Sequence, residues 1–110
     1  MKIKTSELTD AALDWAVAKC EGRLPASYDD WKQTWPHYST DWAQGGPIIE
    51  REKIELRYHD VIVAGIWYRD GIGSDECSHK AIGPTPLIAA MRCFVASKLG
   101  DEAEVPEELK

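Results

Sequence analysis

A change of hydrophobic period in the middle of the chain constrains the fold more than any other feature. Ile54, Leu56 and Tyr58 alternate with polar residues, a period of two that is typical of a half-buried strand. The run 61–68 is continuously apolar and rich in β-branched and aromatic residues, which predicts the central strand of a sheet. A weaker strand is predicted over 76–82, after a turn rich in glycine and aspartate. Short connections between these strands predict an antiparallel meander.

Helical periodicity appears on both sides of the predicted sheet. The first helix is predicted from about Thr9 to Glu21, with Thr9 as its N-cap. The clearest helix covers residues 86–99, because Thr85 is suited to the N-cap and Pro86 to the first helical position. Both segments carry their large apolar residues on one side, where they can cover a sheet.

The last helix also has a second apolar side, which contains only small residues. These residues are Ala89, Ala90, Cys93, Ala96 and Ser97. Small side chains let another helix approach closely, and two occupants fit this side. One is the first helix, and the other is a second subunit, which would make the protein a homo-oligomer.

Residues 39–53 predict a middle helix that is interrupted. A capped start at residues 39–41 is followed by Gly45 and Gly46, which weaken a helix, and by Pro47, which suits a new first turn. The predicted fold is therefore α+β. A three-stranded antiparallel sheet packs with an N-terminal helix, an interrupted middle helix and a C-terminal helix, in a single domain over residues 1–100.

Charge and cysteine usage limit the partners and the compartment. The formal net charge is −6, and no basic stripe is present, which makes duplex nucleic acid an unlikely partner. Residues 101–110 contain five acidic residues and one basic residue, and we expect them to form an acidic, mobile tail. Three widely spaced cysteines favour a reducing compartment. Without a signal-like or membrane-spanning apolar stretch, the prediction is a cytoplasmic protein with no membrane association.

The sequence lacks the motifs that usually carry catalysis. It contains no GxSxG nucleophile motif, no Walker motif and no second pair of metal-ligand residues beside Cys77 and His79. We therefore expect no catalytic residues, no metal and no cofactor, and predict that the protein is not an enzyme.

An aromatic segment is the best candidate for a binding surface. Three of the five tryptophans lie within twelve positions, at Trp31, Trp35 and Trp42. Such side chains suit either a binding surface or a small core. Arginines could pair with phosphates or with acidic residues of the chain itself, and helix starts offer free N–H groups. The candidate ligand- or partner-binding residues are Trp35, Tyr38, Ser39, Thr40, Asp41, Trp42, Arg51, Thr85 and Arg92.

Two long runs, residues 38–52 and residues 83–96, together with residues 4–8 and 11–18, resemble the NinX-like proteins of temperate tailed phages. That family has no known function. The same two runs more loosely resemble the phage proteins called ABA sandwich domains, which have a helix, a sheet and a final helix. The resemblance implies phage origin and a role in the cytoplasm of an infected bacterium. Small non-essential phage proteins often modulate the host, including its defences.

Three functional hypotheses follow. The first is a non-catalytic phage accessory protein that binds an unknown host ligand or host protein, either sequestering a small signalling nucleotide or inhibiting a defence component. The alternative is an adaptor or structural protein–protein interaction module in phage assembly or gene control. The third is a small nucleotide-processing enzyme, which predicts turnover and a divalent metal.

Overall fold

Helices and strands account for most of residues 1–24, 31, 35–58, 60–69 and 75–109, which this computed structural model describes. The elements in these ranges are β1 (Lys2–Lys4), α1 (Asp10–Cys20), α2 (Trp42–Glu52), β2 (Glu55–Tyr58), β3 (Ile62–Arg69), β4 (Asp75–Gly83), α3 (Pro86–Leu99) and β5 (Glu102–Glu104). The predicted α+β class is confirmed. None of the described helices is long and apolar enough to cross a membrane.

The main sheet is an antiparallel meander in the order β2-β3-β4, with the continuously apolar strand β3 in the centre as predicted. The predicted turn between β3 and β4 lies outside the described residues. Leu56, Ala64 and Ala81 are register partners and share the face that packs on the core. On the opposite face, Ile82 remains 53% exposed, so helices cover only one side of the sheet.

The C-terminal helix α3 lies very close to the sheet. A Cβ atom placed on Gly83 would lie 2.6 Å from the main-chain nitrogen of Ala89, so only glycine at the end of β4 permits this approach. Ala89, Ala90 and Cys93 have no solvent exposure, because the sheet and α1 cover them. The first of the two expected occupants, the N-terminal helix, therefore contacts α3, while Ala96 and Ser97 on the same small-residue side remain half-buried.

The middle helix differs from its prediction. It is continuous from Trp42 to Glu52 and begins after Asp41, whereas the sequence predicts a start at Ser39 and an interruption at the glycines and Pro47. Tertiary packing explains the difference, because Ile48 is 2% exposed and Gly45 lies against the carbonyl of Tyr38. Burial of one helix face stabilises α2 by more than its weak propensity costs.

Residues 101–109, for which the sequence predicts an acidic, mobile tail, pair with β1 and pack on the core in the structure. Strand β5 pairs with β1 in antiparallel register, with Lys2 opposite Glu104 and Lys4 opposite Glu102. Val105 is 2% exposed, and its N–H donates to the carbonyl of Met1 at 2.9 Å. Acidic residues alternate with Ala103 and Val105, which are both buried. One side of the segment therefore packs on the core while the acidic side faces water.

Two neighbouring glycines in α2 should respond differently to alanine. Gly45→Ala should lower the free energy of unfolding by about 2–3 kcal/mol, because the new methyl group would overlap the Tyr38 carbonyl and the Leu87 side chain. Gly46→Ala is the control, since its nearest neighbouring atom would be 3.9 Å away. Its gain in helix propensity is opposed by the following proline, so we expect a change within about 1 kcal/mol. Chemical denaturation measures both, and equal losses would contradict this account of α2.

A side-chain truncation directly after β5 tests whether the end of the chain is part of the core. Val105→Ala should lower the free energy of unfolding by about 2 kcal/mol, because it removes two methyl groups from a buried site. Glu108→Ala, at an exposed position, is the control and should have little effect. Thermal or urea denaturation gives the comparison, and indistinguishable variants would restore the mobile tail.

Candidate functional site

Two exposed tryptophans flank the start of α2. Trp35 is 37% exposed and Trp42 is 53% exposed, unlike Trp31, which is buried against Trp15. Thr40 and Asp41 lie between them in the sequence and are also exposed. We call these four residues the tryptophan surface. It contains both tryptophans of the predicted site and two of the predicted residues between them.

A buried carboxylate on α1 forms hydrogen bonds with Trp35 and with the main chain of the turn before α2. Asp14 is 1% exposed and accepts hydrogen bonds from the Trp35 indole Nε1–H at 2.9 Å and from the Ser39 main-chain N–H at 2.8 Å. Burial raises the pKa of Asp14 above its ordinary value, while the hydrogen bonds from Ser39 and Trp35 act in the opposite direction. One side chain therefore fixes both ends of residues 35–39 against the first helix.

Hydrogen bonds also order the turn before α2. The Gln44 side chain accepts from the His37 N–H at 2.8 Å and donates to Asp41 Oδ2 at 3.1 Å. Asp41 Oδ1 accepts from the Ala43 N–H at 2.9 Å, which makes Asp41 the N-cap of the helix. The imidazole of His37 lies 5.2 Å from the Trp35 ring, between ring centroids. These hydrogen bonds thus fix the main chain of the turn that carries the tryptophan surface.

Two predicted binding residues are instead part of the core. Tyr38 is 8% exposed, and burial raises the pKa of its hydroxyl group. Ser39 is 1% exposed, and its hydroxyl has no hydrogen-bond partner among the residues that the structure describes. Neither side chain reaches a ligand on the surface. The alternation between exposed and buried aromatic residues arises because this segment folds back onto α1.

Arg51 is engaged in ion pairs within the chain. Its Nη1 and Nη2 atoms bind the two carboxylate oxygens of Glu21, each at 2.9 Å, and its Nε binds Glu52 at 2.9 Å. Glu52 also accepts from Lys98 at 3.1 Å, and contact with Arg51 and Lys98 lowers the pKa of Glu52. The predicted alternative, pairing with acidic residues, is the arrangement found, and it links α1, α2 and α3.

The two remaining predicted residues lie on or beside α3. The Thr85 hydroxyl accepts from the Ile88 N–H at 3.1 Å, so Thr85 is the helix N-cap as predicted. Arg92 donates to two main-chain carbonyls, at Leu8 and Ile82, and lines a cleft on the edge of the sheet. No residue of the tryptophan surface lines that cleft. The structure therefore separates residues that the sequence prediction placed together.

One cysteine can be assessed as a nucleophile. Burial, with a smaller contribution from Glu21, raises the pKa of the Cys20 thiol to about 11. The thiol is consequently protonated at neutral pH, whereas a nucleophilic cysteine requires the thiolate form. Cys20 lacks the environment of a catalytic cysteine.

Comparison with protein families gives one decisive match. The family described as bacteriophage P22, NinX matches residues 4–98, most of the chain. The protein belongs to the NinX family. A search of curated proteins gives no match. Membership confirms the resemblance seen in the sequence and makes the chain a phage protein of a family whose role is unknown.

The match to the NinX family covers the tryptophan surface and all of the cleft beside Arg92 except Asp101 and Glu102. Of that cleft, the sequence prediction included only Arg92. The cleft beside Arg92 includes Lys4, Ser6, Lys80 and Asp101. Together with Arg92, these residues come from four separate segments of the chain, and no spacing motif connects them. Arg92 was the only signal that sequence reasoning could use.

The raised pKa of Asp14 predicts a titration that Trp35 reports. As the pH is varied, we expect the NMR signal of the Trp35 indole N–H to shift with a midpoint above pH 3.8, the ordinary pKa of the carboxyl group. In Asp14→Asn, which has no carboxyl group at this position, this transition should be absent. Because the folded-state pKa is raised, stability at this site should fall as the pH rises from 3.8 through that midpoint. A midpoint below 3.8 would show that hydrogen bonding outweighs burial.

Proposed function

We propose that this NinX-family protein is a non-catalytic accessory protein that binds another protein in the cytoplasm of the infected bacterium. The tryptophan surface is its proposed contact. The observation that carries the proposal is the 53% exposure of Trp42 in the first turn of an ordered helix. Tryptophan is enriched among residues that dominate binding energy, and exposing one to water has no stabilising effect on the isolated fold.

The ordered backbone under the surface supports this proposal. Gln44, Asp14 and Asp41 accept hydrogen bonds of 2.8–2.9 Å from the main-chain N–H groups of residues 37, 39 and 43, respectively. A prearranged surface loses little conformational entropy on binding, so more of the contact energy remains as affinity. A protein partner could bury both tryptophans without rearranging this part of the chain.

Separation of the arginines from the tryptophans favours a protein over a nucleotide at this surface. A nucleotide stacked on Trp42 would need cations for its phosphates. Arg51 already binds two carboxylates, and Arg92 lines a different cleft. A protein partner needs no such cations, because aromatic burial can supply most of its binding energy.

The absence of an enzymatic role is part of the same proposal. The protonated thiol of Cys20 and the lack of familiar catalytic motifs support it. Inhibition of a host defence component and an adaptor role in phage assembly or gene control both use a protein partner. The identity of that partner distinguishes them.

Substitution at the tryptophan surface tests the proposal. A photo-crosslinking amino acid introduced at Thr40, an exposed position of the tryptophan surface, should capture one defined protein in infected cells. Adding Trp42→Ala should reduce that product by about tenfold or more, because it removes a large contact side chain. The product's identity, a host protein or a phage protein, then selects between the two roles.

Tyr58→Ala provides the matched control, because Tyr58 is 63% exposed and lies in β2, away from α2. It should leave the crosslinked product unchanged. Thermal unfolding must be the same for wild type and Trp42→Ala, so that loss of the product is not loss of the fold. Equal crosslinking in wild type and Trp42→Ala would overturn the proposal.

A further inference from the structure

A second region of the molecule has the features of a ligand site. The cleft beside Arg92 has a volume of about 440 Å³ and follows α3 along the edge of the main sheet. Arg92 and Ala96, one turn apart on α3, contribute to one side of it. Lys80 and Ala81 of the edge strand β4 line a second side, and residues 4–6 line the third.

Arg92 is a fixed, partly buried cation in this cleft. Its Nε donates to the Leu8 carbonyl at 2.8 Å and its Nη1 to the Ile82 carbonyl at 2.9 Å. Burial lowers the pKa of Arg92, but the guanidinium group stays charged at physiological pH. Two neutral carbonyls hold the group without neutralising it. Among the described residues, no carboxylate forms an ion pair with Arg92.

Further donors approach the cleft from both walls. Lys4 and Lys80 lie on opposite walls, and neither forms an ion pair with the part of the chain that the structure describes. Lys80 alternates with Ala81 along β4, so its side chain starts on the sheet face of Ile82 and enters the cleft around the edge of the strand. The Ser6 side chain lies on the same wall as Lys4. The neighbouring Thr5 hydroxyl already donates to the carbonyls of Gly100 and Asp101, at 3.1 and 3.3 Å, so it stabilises the wall. Ammonium, guanidinium and hydroxyl groups together form a donor set for an anion.

Acidic residues limit the size of that anion. Asp101 and Glu102 also line the cleft, so three cations and two carboxylates give it a net charge of only +1. Asp101 follows the end of α3, and about 12 Å of helix separates residue 92 from residue 100. Lys4 lies opposite Glu102 in the β1–β5 register, so its charge is offset at the carboxylate end, and Arg92 is the cation at the other end. A long polyanion that contacts Arg92 would approach the carboxylates.

We propose that this cleft binds a small anion that carries a single phosphate or carboxylate group. The free N–H groups of the Arg92 guanidinium provide the fixed contact, and Lys80, Lys4 and Ser6 complete it. This site is separate from the tryptophan surface, and the inference does not rest on the proposed protein-binding function. The cleft gives the protein a way to sense or retain a small metabolite while the tryptophan surface remains accessible.

NMR titration of the full chain tests the proposal with two probes. Inorganic phosphate and acetate are added separately at constant ionic strength, which is held with sodium chloride. Saturable shifts at the main-chain amides of Ser6, Lys80 and Ala96 are expected from at least one probe. Shifts with phosphate alone would identify the phosphate class, and shifts with acetate alone the carboxylate class. Both results support a small-anion site, whereas weak shifts spread over the surface without saturation overturn it.

Charge substitutions locate the binding. Lys80→Gln should weaken the affinity for the bound probe about two- to fivefold, as expected for one exposed charge contact. Lys19→Gln makes the same change at an exposed lysine outside this cleft and should have no effect. Arg92→Gln should cause a loss of about tenfold, because it removes the fixed charge.

Arg92 also holds two carbonyls. If Arg92→Gln does not fold for that reason, the comparison of Lys80→Gln with Lys19→Gln decides the test alone. Equal affinity in those two variants would overturn the proposal. Trp42→Ala should bind the probe normally. This result separates failure of the anion site from failure of the protein-binding proposal.

Discussion

The close approach of α3 to the main sheet is the contact on which the rest of the structure depends. It requires glycine at position 83, where a Cβ atom would overlap the main chain of Ala89, and alanines occupy the facing positions 64, 81 and 89. Around this contact, α3 also packs against α1, α2 and the chain after β1. A helix that touches nearly every other element must be apolar on more than one side, which explains why α3 carries few charges.

Sequence periodicity predicted the helices and strands that have strong, extended patterns. The alternation at residues 54–58 and the apolar run after it were sufficient for the meander, and Thr85 identified the start of α3. Strand β5 was missed because three residues are too few for a periodic signal and its charges dominate the composition. The break expected in α2 is absent because burial of Ile48 and close packing of Gly45 depend on contacts that local propensity does not contain.

Only part of the candidate site could be predicted for a related reason. An aromatic-rich segment indicates that large rings must be placed somewhere, but not which of them face water. Trp35 and Trp42 are exposed while Tyr38 is buried, and this pattern arises from the hydrogen bonds of Asp14 to residues 35 and 39. The aspartate lies on a helix more than twenty positions earlier in the chain. No local pattern could connect it to the tryptophans.

The bond between Arg92 and the Ile82 carbonyl has a consequence for solubility. β4 is an edge strand, and its outward-facing carbonyls are the groups through which a strand from another molecule would extend the sheet. By occupying one of them from the neighbouring helix, Arg92 blocks that position on the edge, beside the exposed side chain of Ile82. The same arginine that lines the cleft therefore also occupies a backbone acceptor on a sheet edge, and open edges of this kind are where edge-to-edge aggregation begins.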